Sequence, residues 1–202
     1  MLKPVVTVPV FAVHGLLDGA RSKGLATESW LDGVLAQARI AESLLHLEQS
    51  RVTIEQYIAL FSAVKNSLDD ECLGHLHGRP LRCGSFALMA RSTLGAKTLA
   101  AALQRVSASF ALLQDDVALV PVSDGLLKGA ALDVRHALGK HSDFLHGLLL
   151  RVFWRLLVWL HGGRLVPRGL DFAFEPPPRA ADYAQIFLSL IHISEPTRQA
   201  EI

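Results

Sequence analysis

Residues 80–106 read PLRCGSFALMARSTLGAKTLAAALQRV, and the fold turns on how this stretch is divided. Gly78 to Pro80 interrupts the helical pattern in front of it, as glycine and proline together usually do. Leu81 to Ala90 then reads as a strand. Thr93 is placed to cap a helix in which Leu99, Leu103, Val106 and Phe110 recur at helical spacing and line one face. A strand leading into an amphipathic helix is the unit from which the rest of the chain is laid out.

Downstream, Asp115-Asp116 is a turn, Val117 to Val122 a strand, and Ser123-Asp124-Gly125 a hairpin-type turn, with Leu126 to Val134 returning. Ser142 or Asp143 caps the strongest helix, in which Leu145, Leu148, Leu149, Val152, Leu156 and Leu160 share a face. Gly162-Gly163 ends it, because glycine readily takes the left-handed conformation at a helix C-terminus. Leu170 to Phe174 is a strand that stops at three prolines, and Ala180 to Phe187 starts a further short helix.

Upstream, Thr53-Ile54-Glu55-Gln56 has the form of a capping box, followed by Tyr57, Leu60, Phe61 and Val64 at i, i+3, i+4 and i+7. Leu68 to Leu73 closes a short turn. Between Thr27 and His46, Trp30, Val34, Ile40, Leu44 and Leu45 share an apolar surface with Leu47, across two short helices. Val5 to Val13 is β-branched and apolar but holds Pro9, which removes a ladder donor and suits an edge strand or extended arm. Gly15 to Gly24 reads as a loop, so residues 1–24 form an N-terminal arm. The order implies an α+β fold: N-terminal helices followed by a small, mainly antiparallel sheet packed with helices.

Half of the 202 residues are apolar, enough for a substantial core. Lys plus Arg is 20 against 19 for Asp plus Glu. A surface that grips nucleic acid through phosphates carries a basic excess, so this composition argues against the chain being the DNA-gripping part of a protein. Two cysteines make no disulfide framework and suit a reducing, cytoplasmic compartment. The apolar run Leu145 to Leu160 is interrupted by Arg151 and Arg155, which argues against a membrane span. Met1 to Ala20 has one Lys, two prolines and no clear cleavage site, unlike a signal peptide.

Several groups of residues have chemistry to offer. Cys72, His75, His77 and Cys83 are all zinc-ligand types within twelve residues, but C-x2-H-x-H-x5-C matches no common finger, and no metal site is expected. Asp69, Asp70 and Glu71 form an acidic run. Neighbouring carboxylates point in different directions, so a solvated turn is expected rather than an acid–base pair. His14, His136, His141, His146 and His161 are scattered, with no nucleophile motif beside them. The glycines around His75 and His77, and the pair Gly162-Gly163, lack the Gly-Lys-Ser/Thr element of a phosphate loop. Trp154 and Trp159 suit a packed helical stripe better than a pocket wall. Arg151 and Arg155, four apart, suit either a bidentate anion clamp or a solvated face.

The segment Pro80 to Val106 resembles the N-terminal arabinose-binding domain of AraC/XylS-type regulators: a Gly-containing strand, a turn ending in Thr93-Leu94-Gly95, then a helix with Ala102-Leu103. Lys97-Thr98-Leu99-Ala100 stretches the usual spacing there. LDFAFEPPPRAADYAQIF, Leu170 to Phe187, resembles the family's strand, Pro-rich turn and Tyr-containing helix. The resemblance implies an effector-sensing and dimerisation domain over residues 25–187 that normally precedes two helix-turn-helix motifs. It therefore implies a small-molecule effector, a homodimer, and DNA contact only through a C-terminal part not in this chain. It also implies no catalytic residue, no cofactor and no metal. It assigns no ligand-binding residue, and the word arabinose does not name the effector. The stretch after Phe187, LSLIHISEPTRQAEI, resembles the peptide read when sequencing-adapter DNA is translated, so residues 188–202 are expected to be non-native, the alternative being a natural truncation with a divergent tail. A free-standing small-molecule-binding or dimerisation protein, and a small metal-dependent enzyme, are the alternative readings.

Overall fold

The computed structural model describes residues 6–125, 127–134, 142–163 and 165. The strand expected at 170–174, the helix at 180–187 and the tail 188–202 lie outside these residues. The chain divides into two compact units, Met1–Val152 and Phe153–Ile202. The described elements are β1 (Thr7–Pro9), α1 (Val10–Ser22), α2 (Glu28–Ala38), a 3-10 turn (Glu42–His46), β2 (Arg51–Thr53) and α3 (Ile54–Leu68). After them come α4 (Ser85–Ser92), α5 (Leu99–Leu113), β3 (Val117–Asp124), β4 (Leu127–Val134) and α6 (Ser142–Leu160). The class is α+β, with helices first and an antiparallel hairpin after them.

The N-terminal segment is not a loose arm. Only Thr7–Pro9 is a strand, paired antiparallel with β2 in the register Val8↔Val52. Pro9 ends it and serves as N-cap, its φ of −69° and ψ of 151° turning the chain into α1. The loop expected from Gly15 to Gly24 is helical as far as Ser22. Val13, Leu16, Leu17 and Ala20 on this helix are fully buried. Gly15 and Gly19 stand four apart, hence one above the other on a helix face. They are there for close approach and not for a bend.

The N-terminus of α3 follows the sequence pattern. The Gln56 N–H donates to Thr53 Oγ1 (3.2 Å) and the Thr53 N–H donates to Gln56 Oε1 (2.9 Å), so two otherwise orphaned donors are satisfied. The same Gln56 side chain donates from Nε2 to the Arg39 carbonyl (2.6 Å), binding the end of α2 to the start of α3. Leu60, Ala63 and Val64 form the buried face of α3, with Tyr57 and Phe61 half-buried beside it. On α2, Val34 and Leu35 are buried, whereas Leu47 beyond the 3-10 turn is exposed.

Residues 81–90 are the main departure from the pattern-based reading. Residues 81 and 82 belong to neither helix nor strand, 83 and 84 form a turn, and Ser85–Ser92 is helix α4. Its start is set from a distance: Gly84 N–H and Phe86 N–H donate to the two carboxylate oxygens of Glu71 at 2.8 and 2.7 Å. Gly84, at φ 98°, makes the turn into the helix. Thr93 is the C-cap of α4, with its hydroxyl donating to the Ala90 carbonyl (2.6 Å). Thr98 is the N-cap of α5, accepting from the Ala101 N–H (3.1 Å). The apolar face of α5 is as the spacing predicts, with Leu103, Val106 and Phe110 buried.

The hairpin falls within a residue or two of its expected place, in the register Val117↔Val134 to Asp124↔Leu127, with Gly125 at φ 55° in the turn. Gln114 holds its root: Val117 N–H donates to Gln114 Oε1 (2.8 Å), and Gln114 Nε2 donates back to the Val117 carbonyl. Val117, Ala118 and Leu119 are buried, and Ser107 on α5 donates to the Leu119 carbonyl. Val120 to Ser123 are exposed. Helix α6 ends as expected, at Gly162 and Gly163, both with positive φ. The Gly163 N–H donates to the Val158 carbonyl (2.8 Å).

Candidate functional site

Buried polar side chains are expensive unless satisfied, so where they gather is informative. In the first unit two of them, Asp70 and His75, lie on the connection from α3 to α4. Each acid of the run 69–71 has a separate task there. Asp69 is the left-handed C-cap residue of α3 (φ 47°) and pairs with Arg82 at 2.7 Å. The Arg82 hydrogen bond, followed by the Cys83 N–H, holds its carboxyl below the ordinary range. Asp70 is buried, with Oδ1 accepting from Cys72 N–H (2.9 Å) and Leu81 N–H (3.0 Å), and Oδ2 from Gly74 N–H (2.8 Å). Glu71 caps α4. The run is therefore not a solvated turn. The three carboxylates do point apart, but they point into one connection and hold it closed.

That connection presses its backbone into α1. A Cβ added at Gly19 would lie 2.2 Å from the Leu73 carbonyl oxygen and 2.8 Å from His75 N. A Cβ at Gly15 would lie 2.2 Å from the Phe144 ring. His75 Nε2 lies 2.9 Å from the Gly15 carbonyl oxygen. A carbonyl only accepts, so Nε2 carries the proton. The His75 and Phe144 rings are 5.2 Å apart between centroids and tilted by 32°. Three segments remote in sequence, at residues 15–19, 70–76 and 144, thus meet in one buried node.

The node has the character of a joint rather than a reaction centre. The Asp70 oxygens already accept three N–H bonds. The Cys72 thiol is wholly buried, and desolvation first, then the charge of Asp70, pushes it well above its ordinary range. A thiol so held is a poor nucleophile and a poor metal ligand.

The four zinc-type residues are not brought together. Cys72 and His75 are buried, whereas His77 and Cys83 are exposed. Among the described residues no three His, Cys, Asp or Glu side chains stand as a metal-holding group. Both cysteines are free thiols. Cys83 lies 3.6 Å from Lys65 Nζ.

His14 accepts at Nδ1 from Arg21 (3.1 Å) and donates from Nε2 to the Leu45 carbonyl (3.0 Å), a structural link. His136 and His141 lie outside the described residues. On α6, Arg151 reaches the Gly147 carbonyl (3.3 Å), while Arg155 is exposed. Trp154 is half-buried, and Trp159 is 64 % exposed, against the expectation that both are packed.

Sequence reasoning missed Gly15 and Gly19, and also Asp116. Asp116 is buried and accepts from the Gly78 N–H (2.8 Å). The four-residue spacing of the two glycines was the available signal.

Residues 31–201 match the family model described as the arabinose-binding domain of AraC transcription regulators, N-terminal. The chain belongs to this family. Comparison with curated proteins finds no match. The matched span starts within α2 and runs on through α6. The AraC-type domain here also uses α1, upstream of the matched span, as a packing partner of its α3–α4 connection. Among the described residues no helix is long and apolar enough to cross a membrane.

Proposed function

We propose that this chain is the effector-sensing and dimerisation part of an AraC-type transcription regulator, acting on DNA through a C-terminal part outside these residues. The single observation that carries the reading is the family match over residues 31–201. The site chemistry agrees with it. The carboxylates of Asp70 and Glu71 and the imidazole of His75 are each engaged with backbone groups of the joined segments. On this reading the ligand is a small molecule, and its binding shifts the domain between two states that differ in affinity for it. Free thiols suit a reducing, cytoplasmic setting.

The test is a thermal-shift screen of the 202-residue chain against a panel of small metabolites, followed by sedimentation of the chain with and without any hit. A specific ligand at about 100 times its Kd adds about 2.7 kcal/mol to stability. The expected result is a saturable rise in melting temperature for one chemical class and a dimer by sedimentation. Tight, sequence-specific retardation of promoter DNA by the chain alone would refute the division of labour. We also propose that residues 188–202 are foreign to the domain, although the family match runs to residue 201. Removal of those residues is expected to leave the melting temperature unchanged.

A further inference from the structure

Charge along the chain is strongly segregated. Residues 72–114 contain Arg79, Arg82, Arg91, Lys97 and Arg105 and not one Asp or Glu. The balanced total therefore hides a basic tract, and that tract is the α4–turn–α5 unit. Two of the five cations are neutralised from outside it: Arg79 by Asp115 (3.3 Å) and Arg82 by Asp69 (2.7 Å). The other three make no ion pair among the described residues. They also converge. Arg105 on α5 reaches back with Nη1 to the Ser92 and Leu94 carbonyls (3.3 and 3.1 Å), at the end of α4. Arg91 directly precedes Ser92, and Lys97 closes the same turn. All three are exposed. The turn itself is open: Leu94 is 59 % exposed, and a Cβ added at Gly95 would meet nothing within 4 Å.

The bland role for Arg105 is to satisfy the last carbonyls of α4, and Arg91 in the last turn also suits the helix dipole. Neither role accounts for Lys97, which lies outside both helices, nor for the absence of acid over the whole tract. We infer that the α4–α5 turn, through Arg91, Lys97 and Arg105, is a docking surface for the phosphate backbone of duplex DNA. Its contact is electrostatic and blind to sequence. A regular line of phosphates is the polyanion that three clustered, exposed cations fit without any shaped pocket. The choice of DNA as the polyanion rests on the reading of this chain as part of a DNA-acting regulator, but not on effector sensing; a chain that binds no small molecule could still show it.

The experiment is fluorescence anisotropy of a labelled random-sequence duplex with the 202-residue chain, from low to physiological salt. Three phosphate contacts give a log–log salt slope of about −2.7, or about 40-fold weaker binding between about 50 and 200 mM salt. The double variant R91Q/K97Q is expected to reduce that loss to about 3- to 4-fold, at an unchanged melting temperature. K128Q, which removes one cation from the exposed hairpin, is expected to leave the slope where it is. Absence of binding at the lowest salt would overturn the inference. So would an unchanged slope in R91Q/K97Q, or an equal fall in K128Q. If poly-glutamate binds with the same dependence on Arg91 and Lys97 while the duplex does not, the partner is an acidic protein and the nucleic-acid assignment fails.

Discussion

Gly19→Ala and Gly33→Ala are the same chemical change in the interiors of two helices, and the structure assigns them opposite signs. Alanine favours a helix interior over glycine by about 1 kcal/mol, because glycine loses more backbone entropy on folding. At Gly33 in α2 nothing lies within 4 Å of the added Cβ, so the propensity gain stands alone. At Gly19 in α1 the added Cβ meets the Leu73 carbonyl oxygen at 2.2 Å, with Gly74 C and His75 N at 2.8 Å. All three are backbone atoms, so no rotamer change relieves the clash. Ordinary contact begins at about 3.4 Å, so the connection must retreat by about 1 Å. Such overpacking costs about 1–3 kcal/mol or more. Retreat would also strain the Asp70 hydrogen bonds and the His75–Gly15 link, which places the cost at the upper end. Against the propensity gain, the net loss is about 2 kcal/mol. For a chain of this length about 1 kcal/mol moves the melting temperature by 2–4 °C. Circular dichroism melts are then expected to show Gly33→Ala higher by about 2–4 °C and Gly19→Ala lower by about 4–8 °C. If Gly19→Ala melts at or above the parent chain, the close approach of α1 to the 70–76 connection is wrong, and with it the description of the node.

Asp70→Asn sets an amide NH2 against one of three N–H donors, most directly that of Gly74, and is expected to cost about 3 kcal/mol in urea unfolding; a loss under about 1 kcal/mol would mean the carboxylate does not organise the connection. Ellman's reagent should titrate one thiol per native chain at once, Cys83, and Cys72 only in denaturant; two fast thiols would contradict the burial of Cys72. The Cys72 thiol also gives the fold an alkaline limit. Below its ordinary value of 9.0 it is protonated in both the folded and unfolded chain and contributes no pH dependence. Above that value the unfolded chain gives up the proton and the folded chain keeps it, so stability falls, by up to about 1.36 kcal/mol per pH unit. The stability gap between the parent chain and Cys72→Ala should therefore narrow as pH rises above 9.0, measured by urea unfolding; a gap independent of pH would refute this.

Read alone, the sequence determined those elements whose cause is local. The capping box at Thr53 and Gln56, the stripe on α5, the hairpin turn at Asp124-Gly125 and the glycine stop after α6 need only neighbours a few residues away. Hydrogen-bonding reach and helical period fix their spacing. The family was also legible, in Thr93-Leu94-Gly95, Ala102-Leu103 and their surroundings. Where the cause is remote, tertiary structure decided. Residues 85–92 lack a local N-cap side chain and are helical because Glu71 supplies one from thirteen residues upstream. Val10–Ser22 holds two glycines that read as loop, yet it is a buried helix: the missing Cβ lets the 73–75 backbone lie against Gly19 and the Phe144 ring against Gly15. Asp70 looked like one of three solvated acids and is buried, since three N–H groups brought from Cys72, Gly74 and Leu81 replace its water. A local pattern reports the donors and faces a segment owns; which of them are met, and by what, is settled only when distant segments arrive to meet them.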